Sequence, residues 1–183
     1  MGIREKKALI LATNAPYRFV RDRISLITEL EVAVEIYFDN NTIEEVNARD
    51  VEELGKILNG EGIRCGVHAP FMDLSPGGID RAVRAVTKDK LKKAVSIANI
   101  LGAVGIVCHP GYDRWRFNEY LEKWIAGSVE TWEEVLGVAG KDLPVMLENV
   151  FEEEPLSFIE LFGHFRNRNL YFCFDAGHFN LFS

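Results

Sequence analysis

The chain has 183 residues, of which 48% are apolar and 27% charged, and this composition is typical of one globular domain with a sizeable core. The formal net charge of −7 disfavours the broad basic field of a nucleic-acid-binding protein. The N-terminal stretch MGIREKKALILAT has an apolar run too short to span a membrane and lacks a small-residue cleavage site, so we expect a cytoplasmic protein.

Short apolar runs alternate with longer amphipathic stretches along the whole chain. They predict strands at KALILAT (7–13), EVAVEIYF (31–38), GIRCGVHAPF (62–71), GAVGIVCHPG (102–111), DLPVMLENV (142–150) and NLYFCFDAGH (169–178). Strands that are apolar almost throughout and separated by helices are typical of a parallel sheet covered by helices. The sequence therefore predicts an α/β fold.

The clearest helix is predicted over TKDKLKKAVSIANILG (87–102), which begins at Thr87 and ends at Gly102. Apolar residues recur at helical spacing within it, at Leu91, Ala94, Val95, Ala98 and Leu101. We expect these side chains to face the core.

Three other features carry expectations. The cysteines form no CxxC pair and lie in predicted strands, so we expect buried free thiols at Cys65, Cys108 and Cys173. The segment APFMDLSPGGIDRAVR (69–84) is either a lid over a site or a plain connection. The acidic run Glu152 to Glu154 predicts a solvated helix start, where carboxylates favour the helix dipole.

The alternation is compatible with an open doubly wound sheet or a barrel. The turn after the first predicted strand, ATNAPYRF, contains no glycine, which disfavours a dinucleotide-binding sheet. No linker or low-complexity tract divides the chain, so we expect a single domain over residues 1–183.

Polar residues gather toward the C-terminal ends of five predicted strands, and barrels carry their catalytic residues at this edge. They are Glu35, His68, His109, Glu148, Asp175 and His178. Strand periodicity places His109 on the face of Val107, toward the barrel interior, whereas Cys108 faces the helices.

A single buried histidine is more often structural than a metal ligand. Four successive strands that end in histidine or carboxylate are harder to explain by packing, because unpaired buried carboxylates are costly. Imidazole and carboxylate ligands together suit zinc or manganese, so the sequence predicts a site for a divalent metal.

The motifs VHAPFMDL, VCHPGY, MLENV and FDAGH resemble the strand ends of the xylose isomerase-like TIM barrels, a superfamily of sugar and sugar-phosphate isomerases or epimerases and the endonuclease IV group. By this resemblance His68, His109 and Glu148 match a His-His-Glu metal site of the endonuclease-like branch. Glu148 and Asp175 match two ligands of the single-metal epimerase site. His178 resembles a further ligand or a histidine that contacts substrate.

A full barrel has about eight βα units in about 250 residues. Six are predicted here, so we expect an incomplete TIM (β/α)8-type barrel that lacks the last two units, together with the histidine and glutamate that the family supplies from them. We also expect that a homo-oligomer or a complementing C-terminal segment could cover its unpaired edges.

Several residues have competing interpretations. Glu35 either binds a sugar hydroxyl or transfers a proton, or it is a buried ion-pair partner. Asp175 is a metal ligand or a helix N-cap. Tyr112, Arg114 and Trp115 follow HPG, where an arginine could hold a phosphate and an aromatic ring could stack on a sugar; a solvated loop and helix start is the alternative.

The first functional hypothesis is a metal-dependent sugar or sugar-phosphate isomerase or epimerase. Glu148 and His178 would be catalytic, and proton transfer would proceed through a metal-stabilised enediolate. The second is an endonuclease IV-like zinc phosphodiesterase that acts on abasic DNA. The third is a metal-binding or interaction module without catalysis.

Overall fold

The computed structural model describes residues 11–166 and 168–182, and all structural statements refer to these residues. The strands are β1 (Ala12–Pro16), β2 (Ala33–Tyr37), β3 (Cys65–His68), β4 (Ile106–Cys108), β5 (Val145–Glu148) and β6 (Leu170–Cys173). The helices are α1 (Tyr17–Asp22), α2 (Ile24–Leu30), α3 (Thr42–Glu45), α4 (Ala48–Gly60), α5 (Arg81–Leu101), α6 (Arg114–Phe117), α7 (Leu121–Ala139), α8 (Leu156–Gly163) and α9 (Ala176–Phe182), with a 3₁₀ turn at Asn118–Tyr120. Among these helices, none is long and apolar enough to cross a membrane.

The six strands form one parallel sheet in which spatial order follows chain order from β1 to β6. A doubly wound sheet reverses its strand order at a switch point, whereas a barrel adds each strand beside the previous one. In the described residues β1 and β6 are the sheet edges. The α/β prediction of an incomplete TIM barrel is therefore confirmed.

Strand β1 lies further along the chain than predicted. Residues 7–10 of the predicted strand are outside the described residues, and β1 runs over Ala12–Pro16, most of which the sequence pattern assigned to a turn. Ala12 pairs with Ala33 and Pro16 with Tyr37. Pro16 is tolerated because it is the last residue of an edge strand, where a missing N–H breaks no ladder.

Helix α5 begins earlier than the predicted start at Thr87. Asp80 is the N-cap, and its Oδ1 accepts the N–H of Ala82 at 2.7 Å. Thr87 lies inside the helix, where its buried hydroxyl donates to the Val83 carbonyl at 2.9 Å and accepts the N–H of Ser75 at 3.0 Å. The start was missed because the Asp80 cap precedes a weakly apolar first turn.

The predicted core face of α5 is confirmed. Gly102 ends the helix with a left-handed φ of 68°, which glycine adopts without the steric cost of a side chain. The predicted core positions are all buried, namely Leu91, Ala94, Val95, Ala98 and Leu101.

Alternate strand residues face the helices and the barrel interior. Val67, Cys108 and Leu147 are fully buried in the core beneath the helices, together with Trp132 of α7. Cys65 and Cys108 are buried free thiols as expected, but Cys173 is only half-buried. It differs because it points to the interior face of the edge strand β6.

The second half of the loop between β3 and α5 is packed against the protein, which favours a plain connection over a lid. Residues 75–78 are buried, and the Thr131 hydroxyl of α7 donates to the Pro76 carbonyl at 2.7 Å. A Cβ on Gly77 would lie 2.4 Å from the Trp124 side chain, so only glycine allows this close approach. This half of the loop is therefore held in place, whereas the tip near Met72 is exposed.

Candidate metal centre

The C-terminal ends of β3 to β6 bring five of the predicted residues together. One ligand atom each of His68, His109 and Glu148 lie within 4.8 Å of one another, and the same holds for Glu148, Asp175 and His178. Glu148 is common to both groups. The convergence follows from the fold, because parallel strands of a barrel all end at the same edge.

His68 ends β3 with its side chain buried. Its Nδ1 is 2.9 Å from the Ala69 carbonyl oxygen, to which it donates in the tautomer that leaves the Nε2 lone pair free. Burial, and then the neighbouring His109, lower the pKa of His68 below its usual value. The ring is therefore neutral near pH 7, which is the form that binds metal.

His109 follows β4, and its Nε2 lies 3.3 Å from Glu148 Oε1. Within the described residues this buried nitrogen makes no hydrogen bond of acceptable geometry. The ring is held by Phe71, which stacks on it with centroids 4.5 Å apart. Two ligand atoms on tetrahedral zinc, with bonds of about 2.0–2.1 Å, lie about 3.3 Å apart. The unpartnered nitrogen facing a carboxylate oxygen thus fits a shared cation.

Glu148 ends β5 and is 8% exposed. Burial acts to raise the pKa of Glu148, but the contact with His109 and the charges of His109 and His68 outweigh it, so the pKa is lowered. The Cys173 thiol lies 3.8 Å from Glu148 Oε2. Burial and the nearby carboxylates raise the pKa of Cys173 to about 11, so the thiol stays protonated and donates to an ionised Glu148.

In the second group, formed by Glu148, Asp175 and His178, hydrogen bonds already engage some of the candidate ligand atoms. His178 Nδ1 lies 2.9 Å from the Asn149 carbonyl oxygen and 3.2 Å from Glu148 Oε1. Asp175 Oδ1 accepts the N–H of His178 at 2.6 Å and so caps the first turn of α9. Asp175 is therefore the helix cap that the sequence left as an alternative, with Oδ2 as its other possible ligand atom.

Asn149 is a positioning residue that the sequence did not indicate. Its side-chain amide donates to the Asp175 carbonyl at 3.0 Å and accepts the Asp175 N–H at 2.8 Å. The amide extends the pairing of β5 with β6 beyond the strands and fixes the start of α9. Its position directly after Glu148 was the available signal.

Glu35 lies below the candidate metal ligands and is not one of them. It is beside Gly66 in the sheet, whereas Tyr37 is beside His68, so Glu35 is one layer deeper in the barrel interior. Glu35 Oε1 accepts a hydrogen bond from Asn14 Nδ2 of β1 at 2.7 Å. No cationic partner of Glu35 occurs among the described residues.

Above the strand ends lies a cleft of about 640 Å³, whose wall includes His109, His178, Phe71, Tyr112 and Arg116. Tyr112 is held by Trp124, with their rings edge-to-face and centroids 5.0 Å apart. Of the three residues predicted to bind substrate, the structure thus brings Tyr112 to the cleft.

Arg114 and Trp115 lie outside the cleft. They line a neighbouring groove of about 520 Å³ between α6 and the start of α8. This placement is compatible with the solvated helix start that the sequence left open, and also with a separate binding role.

The prediction of a solvated Glu152 is wrong. The residue is 7% exposed, and its Oε2 accepts the N–H of Val150 at 2.6 Å. Burial raises the pKa of Glu152 to about 7. A run of three acids indicates solvent exposure, but the turn after β5 folds the first of them inward.

Residues 32–183 match the protein family described as xylose isomerase-like TIM barrel. The chain belongs to this family. The sequence resemblance is thereby confirmed, and the match extends over the four strands that carry the candidate metal ligands.

Relatives of this xylose isomerase-like barrel are longer. An uncharacterized protein of Methanocaldococcus jannaschii is 27% identical, with 85% of this chain and 57% of the relative covered, so the chain spans little more than half of its length. A Thermus thermophilus protein, from a structure soaked with ZnCl2, is 25% identical with a TM-score of 0.78, covering 96% of this chain and 70% of that one.

Two further structures share the fold. A D-tagatose 3-epimerase-like protein is 22% identical with a TM-score of 0.74, and 94% of this chain and 67% of that chain are covered. A D-psicose 3-epimerase in the presence of D-fructose is 16% identical with a TM-score of 0.71, and 93% and 65% are covered.

Proposed function

We propose that this chain carries the metal site of an isomerase or epimerase that acts on a sugar or a related polyol. The observation that carries the proposal is the buried group of His68, His109 and Glu148, in which an unpartnered imidazole nitrogen faces an ionised carboxylate. The fold shared with the D-tagatose 3-epimerase-like protein and the D-psicose 3-epimerase supports a sugar as substrate.

In this proposal His68 and His109 hold a divalent cation through Nε2, and Glu148 holds it through Oε1. Asp175 is a further ligand through Oδ2. The mixture of imidazole and carboxylate suits zinc or manganese. When bound, the cation supplies Lewis-acid stabilisation of negative charge on substrate oxygens.

The residues of the chain itself provide the proton transfer. Glu148 has a lowered pKa and is therefore ionised, so its carboxylate can accept a proton from the carbon next to the substrate carbonyl. His178 contacts the same carboxylate and lies in the cleft wall, where it orients Glu148 and contacts a substrate hydroxyl. Glu35 lies one layer deeper in the barrel interior, and its carboxylate is a second candidate for proton transfer.

Metal content tests the proposal most directly. Elemental analysis is expected to find about one zinc or manganese per chain in the wild type and none in Glu148→Gln, because Glu148 is the carboxylate common to both groups of candidate ligands. Glu35→Gln is the matched control, since it neutralises an interior carboxylate outside the group, and it should keep the metal. Metal retained in Glu148→Gln, or absent from all three proteins, would refute the site.

Activity is then tested by NMR in D2O with a panel of ketohexoses. Metal-loaded wild type should exchange the proton on the carbon next to the carbonyl, and Glu148→Gln should not, because it lacks both the metal and the carboxylate that would take up that proton. Metal-loaded protein that exchanges no proton in any sugar of the panel would count against the sugar proposal.

The two-histidine group favours one second candidate, an endonuclease IV-like zinc phosphodiesterase acting on abasic DNA. Affinity for abasic duplex DNA would then fall steeply between low and high salt, because phosphate contacts release counterions. The net charge of −7 argues against it. Absence of salt-sensitive binding would remove this candidate.

A further inference from the structure

The groove beside the cleft above the strand ends has the features of a separate binding site. We call it the tryptophan groove; its lining includes Tyr112, Arg114, Trp115, Arg116, Glu119 and Glu153. Tyr112 and Arg116 line the cleft as well, so the two spaces adjoin along one wall. Their volumes of about 520 and 640 Å³ each lie within the range of about 300–1,000 Å³ that small-molecule sites occupy.

Trp115 presents a large apolar surface to solvent. It is 86% exposed, whereas Trp124 and Trp132 are 1% and 0% exposed. The Arg114 guanidinium lies 5.3 Å from the centre of the Trp115 ring, within the distance of a cation–π contact. An exposed indole beside convergent polar groups suits the apolar C–H face and the hydroxyl rim of a sugar ring.

The charges of the groove are already compensated. Arg114 Nη1 lies 2.5 Å from Glu153 Oε2, and Arg116 Nε lies 3.0 Å from Asp113 Oδ2. Glu119 adds a further negative charge to the lining. A phosphate would compete with these carboxylates for the arginines, whereas hydroxyl groups can accept from guanidinium and donate to carboxylate at the same time. The groove therefore favours an uncharged polyhydroxy ligand.

We propose that the tryptophan groove is a second sugar subsite, which holds the non-reacting unit of a disaccharide or glycoside. The reacting unit of that substrate lies in the adjoining cleft, at His68, His109 and Glu148. The position of the reacting unit rests on the proposed function. Tyr112 and Arg116 lie at the junction of the two spaces, where the glycosidic bond would pass. The substrate is then an uncharged two-unit sugar, and a sugar phosphate is disfavoured.

Calorimetric titration with glucose, glucose 6-phosphate, maltose, cellobiose and lactose tests this inference. At least one disaccharide should bind about tenfold tighter than glucose, a difference of ~1.4 kcal/mol, and glucose 6-phosphate should bind no tighter than glucose. Trp115→Ala should remove the tenfold preference and keep its metal. Tyr171→Ala is the matched control, because Tyr171 is a half-exposed aromatic residue of β6 outside the groove, and it should bind as the wild type does.

Two results would overturn the subsite: no disaccharide preferred over glucose, or a preference that survives in Trp115→Ala. Salt-sensitive binding of glucose 6-phosphate that is tighter than binding of glucose would also overturn the subsite, because the arginines would then bind the phosphate group. The proposed function fails separately. Disaccharide binding that depends on Trp115, in a protein without metal and without proton exchange, would refute the isomerase and retain the groove as a sugar site.

Discussion

Replacing Glu152 with glutamine tests whether the turn after β5 holds a neutral carboxyl group. Glu152 Oε2 accepts the Val150 N–H, whereas Oε1 is buried and has no hydrogen-bond partner among the described residues. Burial raises the pKa of Glu152 to about 7, although backbone N–H groups of the turn and the charge of His178 oppose this. The charge of Glu152 in turn contributes to the raised pKa of Tyr112, after burial of that hydroxyl.

The size of the effect follows from linkage. The pKa of Glu152 rises from 4.5 to about 7, and each pKa unit corresponds to ~1.36 kcal/mol, so the total is about 3 kcal/mol. Between pH 4.5 and about pH 7 the Glu152 carboxyl is protonated in the folded protein and ionised in the unfolded chain. The folded protein therefore binds more protons in this range. Stability falls as pH rises through this window, and the loss is complete above the folded pKa. Glutamine does not titrate and removes this loss.

The measurement is urea unfolding of EDTA-treated protein at several values between about pH 4 and about pH 8. Relative to wild type, Glu152→Gln should gain about 3 kcal/mol in the free energy of unfolding across this range. Glu154→Gln, at an exposed acid of the same run, should show no such gain. A difference between Glu152→Gln and wild type that is constant with pH would mean that Glu152 is ionised in the folded protein, and the reasoning would be refuted.

Two further predictions concern the packed loop before α5, and both are measured by urea unfolding at constant pH. Gly77→Ala should lower stability by about 1–3 kcal/mol, because its Cβ would lie 2.4 Å from Trp124; Gly137→Ala in α7, with nothing within 4 Å, should be neutral or stabilising. Equal losses would contradict the packing argument. Thr87→Val should cost about 1–3 kcal/mol, because it leaves the Ser75 N–H without its acceptor, and Thr87→Ser should restore most of the loss; a neutral valine would refute this role.

The sequence pattern was sufficient to predict an element where burial of one face produces a periodic repeat of apolar residues. The α5 core face could be predicted because apolar residues repeat at the helical period, and only one stripe of a surface helix is buried. The start of α5 could not, because Asp80 defines it through a backbone hydrogen bond that leaves no periodic signal. Strand β1 was misplaced for a related reason, since its pairing with β2 includes polar and proline residues of an edge.

The candidate site was predictable in its residue types and less so in its contacts. Parallel strands end at one edge, so His68, His109 and Glu148 were expected near one another. The partners of each group depend on turn geometry after the strands. The position of Asn149 directly after Glu148 marks it as close to the site, but no pattern shows that its side-chain amide would hold Asp175 or that the turn would bury Glu152.

The geometry of Glu148 bears on which function is correct. His109 Nε2 and His178 Nδ1 approach the same oxygen, Oε1, at 3.3 and 3.2 Å, and Oε2 faces the Cys173 thiol. The two groups of candidate ligands therefore share one oxygen, and His178 Nδ1 of the second group is already engaged by the Asn149 carbonyl oxygen at 2.9 Å, which favours a single cation. We expect about one metal ion per chain, as a single-metal epimerase requires. Two or more tightly held zinc ions would instead favour the phosphodiesterase, in which clustered metals flank the attacking and leaving oxygens.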